Sequence, residues 1–138
     1  MTAFVLDASV TLSWYFEDEV SAVSDELLDR LDAETAAVPI IWHLEVANLI
    51  ALSERGGRVP ASRSAEFITQ LQNLPIMVDD ELAARVFTYI LDLARSQRLS
   101  AYDAAYLELA MRLGVPLASK DSDLCAAAER LGVAVIRA

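Results

Sequence analysis

Five apolar runs of strand length alternate with longer stretches of helical spacing, and this alternation limits the chain to one class of architecture. The runs are Ala3–Leu6, Val38–Ile40, Ile76–Val78, Val115–Ala118 and Val133–Ile136. None alternates polar with apolar residues as a strand with one wet face would, so each is expected to be covered on both sides. Helical crossovers supply that cover and make the sheet parallel. The intervening stretches read as helices: Ala8 through Phe16, Ser21–Asp32 with Val23, Leu27, Leu28 and Leu31 turned inward, Ile41 to the Gly56-Gly57 stop, and Pro60–Asn73. Asp79, Asp80 and Glu81 open another, where acids suit the positive end of the dipole. Ala101–Leu113 stops at Gly114, and Ser122–Leu131 ends at Gly132. No linker, repeat or low-complexity tract interrupts the pattern. The expected fold is a three-layer α/β/α arrangement around a central, mainly parallel five-stranded sheet, in a single domain over residues 1–138.

With 55% hydrophobic residues and only 4 glycines, the chain is too apolar to be disordered. Its longest nearly apolar run, Ala36–Trp42, falls far short of the ~18 residues that a membrane span needs. The N-terminus has no basic stretch ahead of an apolar one. Neither a membrane anchor nor a signal peptide is expected, and the lone Cys125 suits a buried thiol in a reducing cytoplasm. Eleven basic against 21 acidic side chains leave a net charge of −10. That balance argues against a generic nucleic-acid binder, but not against an enzyme that grips phosphate through metal ions.

In an open parallel sheet, ligands sit beyond the carboxyl ends of the strands. Asp7 ends the first run, and Asp121 follows the fourth after Ser119-Lys120. Each is equally well placed to cap the helix that follows it. For Glu45, a 100° step per residue puts it on one face with Ile41, Asn48, Leu49 and Leu52, where a carboxylate and an amide interrupt an apolar stripe. An ionised carboxylate buried there needs a cation or a hydrogen-bond network, unless the position reaches solvent at an edge. Asp103 stands three residues after Ser100, the spacing of a capping box. The rest of its helix carries only Glu108 and Arg112 as charges, so the helix should be buried and its acidic first turn should face the interior or a cleft.

Histidine chemistry is improbable. The sole imidazole, His43, lies about 160° around its helix from Glu45, and no Cys or His pair has zinc spacing. Asp79, after Val78, is the one residue that could serve as the phospho-acceptor of a phosphotransfer signalling domain, but that reading leaves Glu45 and Asp103 without a role. A non-catalytic binding module on the same fold would have no reason to keep these acids.

Four segments, Phe4–Ser9, Glu45–Leu49, Ser100–Tyr106 and Leu117–Leu124, resemble PIN-domain ribonucleases in order and spacing over essentially the whole chain. In length and style the sequence is most similar to the VapC toxins of bacterial VapBC toxin-antitoxin pairs. The resemblance implies a metal-dependent endoribonuclease and a homodimer. It also implies Mg²⁺ or Mn²⁺ held by acids at Asp7, Glu45, Asp103 and Asp121, with Ser9, Asn48 and Ser119 in support. Asp123 competes with Asp121 for the fourth acidic position. The implied partners are an RNA substrate and a VapB-like antitoxin with a basic tail. Arg55, Arg58 and Arg63 could contact RNA or could simply be a solvated loop. Trp14, Tyr15 and Phe16 cannot all face inward from one helix, so at least one is expected at the surface as a partner anchor.

Overall fold

The computed structural model describes residues 2–138; Met1, part of the expected 1–138 domain, lies outside them. Strands β1 (Thr2–Leu6), β2 (Thr35–Pro39), β3 (Ile76–Asp79), β4 (Leu117–Ser119) and β5 (Val135–Arg137) form one sheet in the order β3-β2-β1-β4-β5. Every neighbouring pair is parallel. Phe4, Val5 and Leu6 of β1 have no exposed surface. Successive strand residues point to opposite faces, so helices cover both sides of the central strand and the fold is the expected three-layer α/β/α.

The helical elements are α1 (Ala8–Ser13), a 3₁₀ turn (Glu17–Glu19), α2 (Ala22–Arg30), α3 (Ile41–Arg55) and α4 (Ala61–Gln72), followed by α5 (Leu82–Arg85), a π turn (Val86–Ile90), α6 (Leu91–Gln97), α7 (Ala101–Leu113) and α8 (Ser122–Arg130). As expected, α7 is deeply buried, with every residue from Ala104 to Ala110 inside. Gly114 ends it at φ 66°, a left-handed conformation that glycine adopts without strain. Among the described residues, no helix is long and apolar enough to cross a membrane.

From β1 the chain moves outward through β2 to β3, then returns to place β4 and β5 on the other side of β1. The boundary between β1 and β4 is therefore where connections leave in opposite directions and a crevice opens at the strand ends. The Asp7 N–H donates to the Ala118 carbonyl at 3.0 Å, setting the residues that leave these two strands side by side.

Several local expectations are corrected. The second strand begins at Thr35, not Val38, because Ala36 and Ala37 pair with Phe4 and Val5; sheet context overrides alanine's weak strand preference. It stops at Pro39, and the exposed Ile40 already belongs to the entry of α3. The last two strands start two residues late, since the Val115 and Val133 N–H groups close the preceding helices on the Ala110 and Ala128 carbonyls. Helix α1 ends at Ser13, so the three aromatics do not share a helix and none is left exposed: Tyr15 and Phe16 enter the core, and half-buried Trp14 donates to the Ser24 carbonyl at 2.8 Å. On α3 the buried stripe is Trp42, Val46, Ile50 and Ser53, while Leu49 and Leu52 of the expected stripe are exposed. Both stripes are largely apolar, and spacing alone could not choose between them. Finally, Asp79 closes β3, and α5 starts at Leu82 with no acid in its first turn.

Candidate functional site

Asp7 leaves β1 at the crevice, is buried, and makes no capping bond to α1. Its Oδ2 instead accepts from the Ser119 hydroxyl at 2.6 Å and from the Ser9 hydroxyl at 2.8 Å. Ser9 in turn accepts from the Lys120 N–H, and Ser119 from the Asp121 N–H, both at 3.0 Å. The ends of β1 and β4 are thus stitched together through Asp7. Burial holds its carboxyl above the usual carboxylate range, against the pull of the two hydroxyls, and the charge of Asp121 adds to the rise.

Asp121 is the N-cap of α8, its Oδ1 accepting from the Leu124 N–H at 2.9 Å. It is therefore a cap and at the same time a charge facing its acidic neighbours. Asp103 sits in the first turn of α7, where Ser100, not Asp103, provides the cap by accepting from the Asp103 N–H at 3.1 Å. Burial first, then the charges of Asp121 and Asp7, push the Asp103 carboxyl up to about 6. Glu45, half-buried on α3, accepts at Oε1 from the Tyr106 hydroxyl at 2.8 Å. Its carboxyl is raised by burial and by Asp7 and Asp103, with the Tyr106 bond opposing. Acids from four separate segments thus come within reach of one another's charge, Asp103 feeling Asp121 and Asp7, and Glu45 feeling Asp7 and Asp103. Among the described residues, no Lys or Arg side chain forms an ion pair with any of them.

The remaining expectations fare unevenly. Asn48 is exposed on α3 with no side-chain hydrogen bond among the described residues, and Asp123 is exposed in the first turn of α8, where its charge still reaches Asp103. Arg58 is committed to Asp18 and Glu19 at 2.8 and 3.0 Å and lies 3.6 Å over the Phe16 ring. Arg63 donates to the Trp14 carbonyl, so these two arginines brace the chain after α1, while Arg55 stays exposed. His43 is exposed beside Trp42, on the far side of α3 from the acids. Asp79 ends an edge strand and is clamped by Arg112 at 2.8 Å, which removes it as a phospho-acceptor. Two contributors were not foreseen. Tyr106 carried a signal, a phenol one turn after Asp103 on a buried helix; Lys120, directly before Asp121 in sequence, turns its Nζ to Glu19 at 3.4 Å. A groove of about 660 Å³ runs from Ser9, Lys120 and Asp121 to Phe16, Leu52 and Arg58.

The PIN-domain family model matches residues 4–130. This chain belongs to the PIN-domain family. Its structure is similar to PAE2754 from Pyrobaculum aerophilum, at 22% identity and TM-score 0.70 over 98% of this chain and 84% of that one. It is also similar to FitAcB from Neisseria gonorrhoeae, at 20% identity and TM-score 0.67 over 97% and 96%. A structure of FitAB bound to an IR36 DNA fragment matches at 20% identity and TM-score 0.60 over 97% and 94%. No curated protein matches the sequence.

In this PIN domain the acidic group offers oxygen donors only, which suits a hard divalent cation such as Mg²⁺ or Mn²⁺. Raised carboxyls without a basic neighbour are the state that such a cation relieves. Among the described residues, no three Asp, Glu, His or Cys side chains already stand close enough to hold an ion, so a cation would have to gather them.

Proposed function

We propose that this PIN domain is a Mg²⁺- or Mn²⁺-dependent endoribonuclease and the toxin of a toxin-antitoxin pair. One observation carries the reading: carboxylates from four distant segments feel one another's charge around the end of β1, and none has a Lys or Arg ion-pair partner among the described residues. Asp7, Glu45, Asp103 and Asp121 would hold the cation, with Asp123 as a more distant charge. When bound, it supplies positive charge to a phosphodiester oxygen, acidifies water and stabilises the leaving oxygen. Ser9 and Ser119 fix the Asp7 carboxylate at Oδ2, so it need not reorganise when substrate arrives. One of these carboxylates would also take the proton of the attacking water. Asn48, exposed on α3, matches a family position that supports the ligands.

The motif resemblance to VapC toxins supports RNA as substrate, a homodimer, and a VapB-like antitoxin. FitAB, a neighbour in fold, is seen bound to DNA. A basic side chain from the antitoxin tail would find in this pocket the countercharge that the chain itself lacks, and would compete with the cation. Purified protein should cut RNA with Mg²⁺ or Mn²⁺, stop in EDTA and recover on adding metal; cleavage undiminished in EDTA by nuclease-free preparations sinks the proposal. The tail should inhibit most at low Mg²⁺, and a bound tail that leaves low-metal cleavage unchanged removes the competitive mechanism.

A further inference from the structure

Tyr106 stands on α7 one turn after Asp103, with no exposed surface. Phenylalanine would fill the same space, and a phenol hydroxyl taken out of water costs free energy unless something meets it. What meets it is Glu45, whose Oε1 accepts the Tyr106 hydroxyl at 2.8 Å across 61 residues of sequence. The other deeply buried tyrosine hydroxyl, on Tyr15, joins the neutral Ser53 and Ser64 hydroxyls and binds α3 to α4. Tyr106 alone spends its hydroxyl on an acid of the pocket. Among the described residues the Glu45 side chain has no other hydrogen-bond partner. Its long side chain would otherwise be free to turn, whereas the short Asp7 is held by two hydroxyls. Both Asp103 and Tyr106 project from α7 at i, i+3 spacing, so they share one face of that helix.

We infer that Tyr106 is a positioning residue, aiming the Glu45 carboxylate into the acidic pocket and locking α3 to the helix that presents Asp103. The inference rests on the reading of Glu45 as a cation ligand. Mn²⁺ binding, followed by the electron paramagnetic resonance of the free ion, tests it on the intact chain, Tyr106→Phe, Glu45→Gln and the double variant, alongside thermal melts in EDTA. Tyr106→Phe should bind Mn²⁺ about tenfold more weakly, the lower end of what loss of an outer partner costs, with a melt close to that of the parent. In the Glu45→Gln background it should cost nothing further. Parental Mn²⁺ affinity in Tyr106→Phe, with Glu45→Gln impaired, overturns the role of Tyr106 and leaves the ligand reading intact. A full loss that persists in the double variant overturns it as well. Parental affinity in Glu45→Gln removes the ligand reading, and this inference with it. Should Tyr106→Phe fail to fold, 3-fluorotyrosine at position 106 of the otherwise unchanged chain reports instead: its ¹⁹F resonance should move on adding Mg²⁺ and stay still in Glu45→Gln, and a resonance unmoved in both overturns the inference.

Discussion

Asp79, Glu81 and Glu108 gather around Arg112, whereas Asp7, Glu45, Asp103 and Asp121 feel one another's charge near the β1/β4 crevice without standing close enough to hold an ion. In the first group Arg112 reaches Asp79 at 2.8 Å, Glu108 at 2.9 Å and Glu81 at 3.1 Å, and Arg85 lies 3.6 Å from Glu108. The Arg112 guanidinium holds the Asp79 carboxyl below its usual range, and the same partners raise Arg112. In the second group hydroxyls and the Leu124 N–H supply the hydrogen bonds, no guanidinium or ammonium does, and three carboxyls are raised. The two clusters use the same residue types and differ in whether the chain supplies its own cation. Where it does, the acids hold β3, α5 and α7 together. Where it does not, like charges stand without a countercharge, at a cost in stability.

The sharpest way to break this comparison is to neutralise one acid in each cluster. Asp7→Asn should lower metal-dependent RNA cleavage by roughly a hundredfold or more, because several kcal/mol of charge stabilisation is at stake. Its melt in EDTA should hold or rise, since removing one of several like charges relieves repulsion. A strongly lowered melt would make Asp7 a structural residue.

The opposite outcome is expected around Arg112. Arg112→Met leaves the buried Asp79 and Glu108 without their countercharge, and urea denaturation should register a loss of roughly 3 kcal/mol. Cleavage per folded molecule should survive. An unchanged denaturation midpoint would show that Arg85 alone suffices.

pH sharpens the contrast, since the two clusters contribute slopes of opposite sign. The folded Asp103 carboxyl, up at about 6, stays protonated where the unfolded chain, near 3.8, is already ionised. Folding then binds a proton, so metal-free stability falls as pH rises from about 4 to about 6, and the cost is complete above that. Asp79, held below 3.8, contributes stability above that value and loses it as pH falls through its depressed folded value. Urea titrations in EDTA between pH 4.5 and 7 should show a decline that Asp103→Asn flattens, and equal slopes in both chains would contradict the raised carboxyl. Added Mg²⁺ should cancel the decline.

The smallest effects separate Asp121 from Asp123. Asp121→Asn keeps a capping side chain and loses the charge, so cleavage should drop with little change in melt; Asp121→Ala should also cost about 1 kcal/mol of stability for the lost cap. Asp123→Asn, exposed and with Asp103 the acid its charge reaches, should change cleavage by no more than about twofold. A larger loss would move the fourth acidic position to Asp123.

Apolar runs flanked by helical periods were enough to read the parallel α/β class, because burial on both faces leaves a local signature that needs no knowledge of neighbours. The same holds for Asp7 and Asp121, whose positions just after strands are visible in one dimension. Glu45 was legible as an anomaly, though the stripe around it was misjudged: α3 has two apolar faces, and which one turns inward depends on what packs against it. Trp14–Phe16 went wrong because α1 ends at Ser13, a boundary that periodicity alone did not mark. No spacing could reveal that Ser9 and Ser119, 110 positions apart in number, grip one carboxylate oxygen, or that Tyr106 reaches Glu45. Nor could it distinguish the acids that Arg112 neutralises from those left without a cation. Charge and periodicity are properties of the chain, but the field at a carboxylate depends on distances across the sheet, and those exist only once β1, β4, α3 and α7 have packed.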